Sequence, residues 1–258
     1  MPVLDLFSLA AHNALVTGAS RGIGHACALA LAQAGAQLCL VLRPADAEPP
    51  CVAALRAQLP AATTITVVYA DLSDPAQVRA VFPQALALMG TIDVLVHCAG
   101  IQRRAPAVVF PESDWDDVLS TNLKAAFLLS QGAGAHMLPR GRGSIVHFAS
   151  LLTFQGGLTV PAYAAAKGGL GQLVKALANE WSAAGVRVNA VVPGYVKTDM
   201  NEKLLADPTR LRQISERIPA GRWGEPADFA GPVVFLASQA SAYVCGELLV
   251  VDGGWMGR

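Results

Sequence analysis

Ala14-Leu15-Val16-Thr17-Gly18-Ala19-Ser20-Arg21-Gly22-Ile23-Gly24 is the stretch that decides the fold of this chain. It opens on a short apolar run, turns through Gly18 and Gly22, and enters the Ala/Leu-rich segment Gly22 to Ala34. Glycines at such a strand-to-helix turn have three uses. One permits the tight turn, one lets the backbone approach a pyrophosphate, and one lets the helix pack close to the strand. The start of the helix then presents unpaired N–H groups and the positive end of its dipole to an anion. Three glycines alone are weak evidence. Placed after a first strand and opening a helix, they meet the context that a dinucleotide-binding turn requires. Gly18, Ser20, Arg21, Gly22, Ile23 and Gly24 are therefore the expected phosphate-side contacts.

The rest of the chain repeats the strand–helix alternation. Short apolar runs predict strands at Ala14–Val16, Leu38–Leu42, Ile65–Tyr69, Val94–Val96, Ser144–Phe148, Val186–Val192 and Leu248–Val251. Longer segments between them predict helices at Gly22–Ala34, Cys51–Leu59, Pro75–Met89, Trp115–Met137, Ala162–Ala183 and Ala227–Leu236, with a looser stretch from Lys197 to Ile218. Alternation of this kind builds βαβ units and a parallel sheet. The expected fold is α/β, a single Rossmann-type doubly wound parallel sheet of seven strands with helices on both faces. Nothing in the composition splits residues 1–258 into more than one domain.

Bulk composition agrees. Of 258 residues, 53% are hydrophobic and 15% charged, as suits strands covered on both faces. Lys+Arg and Asp+Glu are equal at 19 each, which argues against a nucleic-acid partner. The one basic cluster, Arg140-Gly141-Arg142, reads as a solvated turn. The five scattered cysteines form no Cys-x-x-Cys, which argues against a disulfide framework or a metal site and fits a reduced, cytoplasmic setting. Cys98 is expected to be a small buried apolar residue. The N-terminus does not read as a signal peptide, and no apolar run is long enough to predict a membrane span.

The second strand ends at Leu42-Arg43, where an acidic residue would hold the ribose 2′-hydroxyl of NAD. Asp46 and Glu48 come a few residues later, while Arg21 and Arg43 lie where a 2′-phosphate would sit. Arginine there suits NADP(H), towards which the reading leans, with NAD(H) left open. Asp71-Leu72 follows the third strand, in place for Asp71 to bond an adenine amino group.

Tyr163-Ala-Ala-Ala-Lys167 puts a phenol and an ammonium on one helix face. A nearby ammonium stabilises phenolate, and a phenol so lowered can exchange a proton near neutral pH. Ser150 ends the fifth strand, where its hydroxyl could bond a substrate oxygen, and Asn122 lies in the preceding long helical region. Singly these are a helix-surface pair, a cap and a solvent-facing amide. In this order on a parallel sheet, after a nucleotide turn, they are improbable by chance.

With these residues in view, the chain resembles the short-chain dehydrogenase/reductase superfamily over nearly its whole length. The resemblance is carried by Thr17 to Gly24, Asp71, Ala99-Gly100, Asn122, Ser150, Tyr163 with Lys167, Asn189 to Gly194, Val196-Lys197-Thr198 and Val251 to Gly254. It implies that Tyr163 is the general acid/base and that Ser150 positions the carbonyl. Lys167 would hold the nicotinamide ribose and tune Tyr163, and Asn122 would help hold a relay water. Ala99, Gly100, Pro193, Gly194, Val196 and Thr198 would line the cofactor. Where the superfamily commonly has Asn-Asn-Ala-Gly, this chain has His97-Cys98-Ala99-Gly100, and His97 reads as a structural substitute.

Further stretches resemble the 2-dehydro-3-deoxy-D-gluconate 5-dehydrogenase branch (also called 2-deoxy-D-gluconate 3-dehydrogenases). They are Ile101 to Arg104, Trp115 to Val118, Phe154 to Gly157, Ala178 to Trp181, Ile218 to Pro226 and Asp252 to Trp255. The resemblance implies a hydride-transferring oxidoreductase acting on a keto-deoxy sugar acid. It also implies NAD, against the lean that Arg21 brings. Arg103 is a candidate fork for a carboxylate and Gln155 for hydroxyls, beside Ser150 and Tyr163. A 3-oxoacyl-thioester reductase or gluconate 5-dehydrogenase remains an alternative, and a non-catalytic nucleotide-binding protein a remote one. The resemblance further implies a substrate lid around 198–218 and a homotetramer.

Overall fold

The computed structural model describes residues 2–44 and 49–258. Seven strands among them form one sheet: β1 (Asn13–Thr17), β2 (Gln37–Leu42), β3 (Ile65–Tyr69), β4 (Val94–His97), β5 (Gly143–Phe148), β6 (Val186–Pro193) and β7 (Leu248–Val251). Their order is β3-β2-β1-β4-β5-β6-β7 and every pairing is parallel. The order reverses between β1 and β4, so a crevice opens beyond the carboxyl ends of those strands.

The α-helices are α1 (Gly22–Gln33), α2 (Pro50–Arg56), α3 (Pro75–Met89), α4 (Glu112–Leu119), α5 (Ala125–Met137), α6 (Pro161–Trp181), α7 (Glu202–Leu205), α8 (Pro208–Arg217) and α9 (Ala230–Ala237). One face of the sheet packs on α3, α5 and α6 through Leu15, Leu95, Ile145, Val81, Leu129 and Val174. The other packs on α1, α2 and α9 through Val16, Leu40, Val96, Leu31, Leu55 and Val233. Cover on both faces explains why β6 is buried along nearly its whole length. Local chemistry sets several helix ends. Asp74 caps α3 by accepting from Ala76 N–H ahead of Pro75, and Gly90 with φ 73° closes it.

The expected doubly wound seven-stranded sheet is present, with β1, β2, β4, β5 and β6 each longer by one residue at one or both ends. Two helical readings change. The helix expected from Trp115 to Met137 is interrupted at Ser120–Lys124, where the Ala125 N–H reaches back to the Ser120 carbonyl in a widened π turn. The stretch expected to be loose contains α7 and α8. Asp207, which accepts from Thr209 and Arg210 N–H, and Pro208 at the first helical position start α8.

Two smaller expectations are also corrected. Cys98 is half-buried rather than buried. Arg140 is no solvated turn residue, because its guanidinium is 2.8 Å from Asp93 and also bonds the Ile92 carbonyl. This cluster sits where β4 and β5 begin, opposite the crevice. No helix among the described residues is long and apolar enough to cross a membrane.

Candidate functional site

A cleft of about 1580 Å³ occupies the crevice. It is lined by Gly18, Ser20, Arg21, Gly22, Ile23 and Gly24 from the turn, by Arg43 after β2 and by Asp71 and Leu72 after β3. Ala99, Gly100 and Arg103 after β4 line it too, and Thr198 closes it from the far side. Cys98 and, from the expected lid stretch, Asp199, Met200, Glu202 and Lys203 also border it, as does Thr121, which no motif marks.

The turn fits a nucleotide's phosphates by its lack of side chains. Gly18 has φ +74°, and a Cβ on it would lie 2.7 Å from Ala99 N. A Cβ on Gly24 would lie 2.2 Å from the Gly18 carbonyl oxygen. The backbone is thus packed to contact while its outer side stays open. No side chain caps the start of α1, which leaves its first N–H groups for an anion. The Thr198 methyl group faces Gly22, 3.5 Å from where a Cβ would sit.

After β3, Asp71 Oδ1 accepts from Ser73 N–H at 2.9 Å and from its hydroxyl at 2.8 Å. These bonds hold the Asp71 carboxyl below its ordinary range, with a smaller contribution from nearby Arg43. Arg21 pairs with Asp199 at 2.9 Å, both well exposed, so the guanidinium is held over the turn by a weak surface pair. Asp46 and Glu48 lie outside the described residues.

Asn122, Tyr163 and Lys167 are buried one layer behind the cleft wall, with Ser150 partly buried beside Tyr163. Gly100 joins cleft and cluster. A Cβ there would be 3.1 Å from Asn122 Oδ1 and 3.8 Å from Lys167 Nζ. Asn122 lies within the π turn, and its amide makes two 2.8 Å bonds to Ile101, accepting from the N–H and donating to the carbonyl. The bland expectation of a solvent-facing amide does not hold. Lys167 Nζ donates to the Phe148 carbonyl at 2.6 Å and lies 5.6 Å from the Tyr163 ring centroid. Thr153, unmarked by any motif, anchors α6 by donating its hydroxyl to the Lys167 carbonyl at 3.0 Å.

The electrostatics differ from the simple Tyr–Lys expectation. Burial pushes the Tyr163 phenol up to about 12, and a hydrogen bond with Ser150 acts in the opposite direction. Burial also pushes the Lys167 ammonium down to about 8. The ammonium points to a backbone carbonyl, so the phenol is set by its buried surroundings. Ser150 also caps the following short helix by accepting from Leu152 N–H at 3.2 Å.

Other expected site residues are less free or lie elsewhere. Arg103 pairs with Asp114 at 3.3 Å and approaches Asp117 at 3.9 Å, both on α4. Gln155 Oε1 accepts from the Trp255 indole at 3.2 Å. Pro193 ends β6. Gly194 and Val196 line a separate pocket of about 220 Å³ with Arg222, Asp228 and Asp252.

Comparisons with known proteins converge on one group. A family model described as "Enoyl-(Acyl carrier protein) reductase" matches residues 18–256. A Pseudoalteromonas atlantica protein named 2-dehydro-3-deoxy-D-gluconate 5-dehydrogenase is 48% identical over 261 residues, covering 99% of this chain and 100% of that protein. A Gluconobacter oxydans protein named gluconate 5-dehydrogenase is 42% identical, covering 97% of this chain and 96% of its own length. A crystal structure of a gluconate 5-dehydrogenase from Burkholderia cenocepacia, in complex with NADP and tartrate, superposes with a TM-score of 0.93 at 36% identity, covering 99% of each chain.

Proposed function

The chain belongs to the short-chain dehydrogenase/reductase family, an NAD(P)-dependent oxidoreductase, and from that premise we propose that it interconverts a keto-deoxy sugar acid and its secondary alcohol. The observation that carries this reading is Gly100. It is at once a wall of the nucleotide cleft and so close to Asn122 and Lys167 that a Cβ on it would touch both side chains, so a ring bound there abuts the proton-transfer cluster.

Nicotinamide supplies the hydride, or accepts it. The protein's part is to hold the substrate and move a proton. Ser150 bonds the substrate oxygen and the Tyr163 phenol together, and Tyr163 exchanges the proton with that oxygen. Oxidised nicotinamide and a charged Lys167 would add positive charge that favours phenolate, opposing the burial that raises it. Asn122 holds the β4–α4 connection through Ile101, and its π turn offers backbone carbonyls to a relay water. Gly18 to Gly24, Asp71, Leu72, Ala99 and Thr198 enclose the nucleotide, while Pro193, Gly194 and Val196 carry the chain to Thr198. Arg21 and Arg43 favour NADP(H), in keeping with the NADP of the Burkholderia structure.

Arg103 orients the sugar-acid carboxylate and exchanges part of its pairing with Asp114 to do so, while Gln155 turns from Trp255 to substrate hydroxyls. Residues 198–218 form a lid that closes over substrate within one domain. The half-exposed Trp115 of α4 and Phe127 of α5 serve as contact surface in a cytoplasmic homotetramer. Gluconate 5-dehydrogenase is the second reading, favoured by the Gluconobacter and Burkholderia relatives. Arg140 and Arg142 lend nothing to an acyl-carrier reading, because they lie at the far end of the sheet.

The test follows nicotinamide absorbance with NADH and NADPH against keto-deoxy sugar acids, 5-ketogluconate and an acetoacetyl thioester. Turnover of the first alone supports the proposal. Turnover of 5-ketogluconate alone selects the second reading, and turnover of the thioester alone overturns both.

A further inference from the structure

Thr17, His97 and His147 stand side by side on adjacent strands, paired in register and almost fully buried on the α5 face of the sheet. Their hydroxyl partners fix the imidazole tautomers. Thr17 Oγ1 accepts from Ala99 N–H at 3.2 Å and lies 2.9 Å from His97 Nδ1. Its own proton would be stranded in the core unless His97 Nδ1 accepts it, which leaves the His97 proton on Nε2. At the other end, Ser130 Oγ donates to the Ala126 carbonyl at 2.7 Å and lies 3.0 Å from His147 Nε2. Ser130 therefore accepts from His147 Nε2–H, and His147 Nδ1 is a bare lone pair.

The two atoms left over are one donor, His97 Nε2–H, and one acceptor, His147 Nδ1. Among the described residues they are the only buried side-chain polar atoms without a partner. The rings meet edge to face, with centroids 5.7 Å apart and planes at 76°. The structure records no hydrogen bond between these two atoms, yet two orphans of opposite kind on neighbouring rings are better explained as one connection than as two separate losses. Burial, reinforced by the nearby Lys167 charge, keeps both imidazoles neutral, and His147 falls to about 3.

We propose that His97 and His147 form a neutral, one-directional hydrogen-bond relay, closed between His97 Nε2–H and His147 Nδ1, that clamps Ala99 through Thr17 and so positions the cleft wall against the nicotinamide nucleotide. The relay runs from Ala99 N–H through Thr17, His97, His147 and Ser130 to the Ala126 carbonyl of α5. Its cleft end matters because Ala99 and Gly18 touch through bare backbone, so a tilt of either changes the space for the nucleotide. Both histidines are positioning residues, and their role rests on the reading of the cleft as a nucleotide site.

Two-bond ¹H–¹⁵N spectra of the wild-type protein should show both rings protonated on Nε2. Either ring protonated on Nδ1 overturns the relay, whatever the variants do. His97→Leu and His147→Leu should each raise KM for NADPH about tenfold, the worth of roughly one hydrogen bond, with kcat within about twofold. The double variant should resemble either single one, and His97→Asn, which keeps an acceptor for Thr17, should recover part of the loss. Additive effects on KM, or a fall in kcat at unchanged KM, overturn the proposal. Failure of the wild-type protein to bind NADPH or NADH would instead remove the nucleotide reading, and the tautomers would still decide the relay.

Discussion

The glycine turn, which shares the cleft wall with Gly100, and the Tyr163 cluster behind Gly100 are built in opposite ways. The turn is contiguous, Gly18 to Gly24, and works by what it lacks, with backbone pressed on backbone and N–H groups facing outward. The cluster is assembled from a π turn, the cap of the short helix after β5 and a long helix, and works by side chains buried away from water. A site made of backbone geometry should fail in binding. A site made of buried titratable groups should fail in chemistry and in pH dependence.

The sharpest way to break this contrast is Tyr163→Phe. Loss of the proton donor should lower kcat by roughly 10²–10⁴-fold while a fluorescence titration shows NADPH binding unchanged. Comparable loss of binding would mean that cluster and turn are not separable.

The next test reads burial directly. Lys167 is held near 8 against an ordinary 10.5, so between those values the unfolded chain keeps a proton that the folded chain has released. Stability therefore rises with pH through that window. Tyr163, held near 12 against 10.0, reverses the slope above pH 10, because there the unfolded chain loses its proton first. From pH 8 to pH 10 the wild type should gain on the order of 2 kcal/mol over Lys167→Met in urea unfolding. Parallel curves would show that Lys167 is not desolvated in the folded protein.

On the other side, Gly24→Ala would place a methyl group against the Gly18 carbonyl, at 2.2 Å before any relaxation. Overpacking of this kind costs about 1–3 kcal/mol, so KM for the cofactor should rise roughly 10- to 100-fold. At saturating cofactor kcat should be nearly retained, the mirror image of Tyr163→Phe. The smallest effect belongs to an exposed charge. Arg21→Ala should lower the preference for NADPH over NADH by about tenfold, and an unchanged ratio of kcat/KM values would leave the 2′-phosphate to Arg43 alone.

The same contrast separates what could be read from the chain. The glycine turn was legible because φ > 0 and close backbone approach leave few choices besides glycine. The strands were legible because burial on both faces demands unbroken apolar runs. Tyr163 and Lys167 were legible as a pair, since positions i and i+4 share a helix face, but the direction of the ammonium was not. It points to the Phe148 carbonyl on another element, and no local spacing encodes that. The π turn at Asn122 was invisible for the same reason. Ser120 to Lys124 contains neither glycine nor proline, and what accompanies the widening is the pair of bonds to Ile101. The chemistry of Arg103 and Gln155 suits a sugar acid, yet their partners, Asp114 and Trp255, are set by packing.

Taken by itself, the sequence determined the parallel sheet, the place of its glycine turn, and which residues could carry a proton. These follow from local rules: backbone conformations open only to glycine, period and burial of apolar runs, and the reach of side chains along one helix. Tertiary structure alone decided that Asn122 is buried, that burial rather than Lys167 sets the Tyr163 phenol, and that His97 and His147 face each other with one donor and one acceptor left over. Solvation and hydrogen-bond partnership depend on what folds around a group, and those neighbours come from strands and helices far away along the chain.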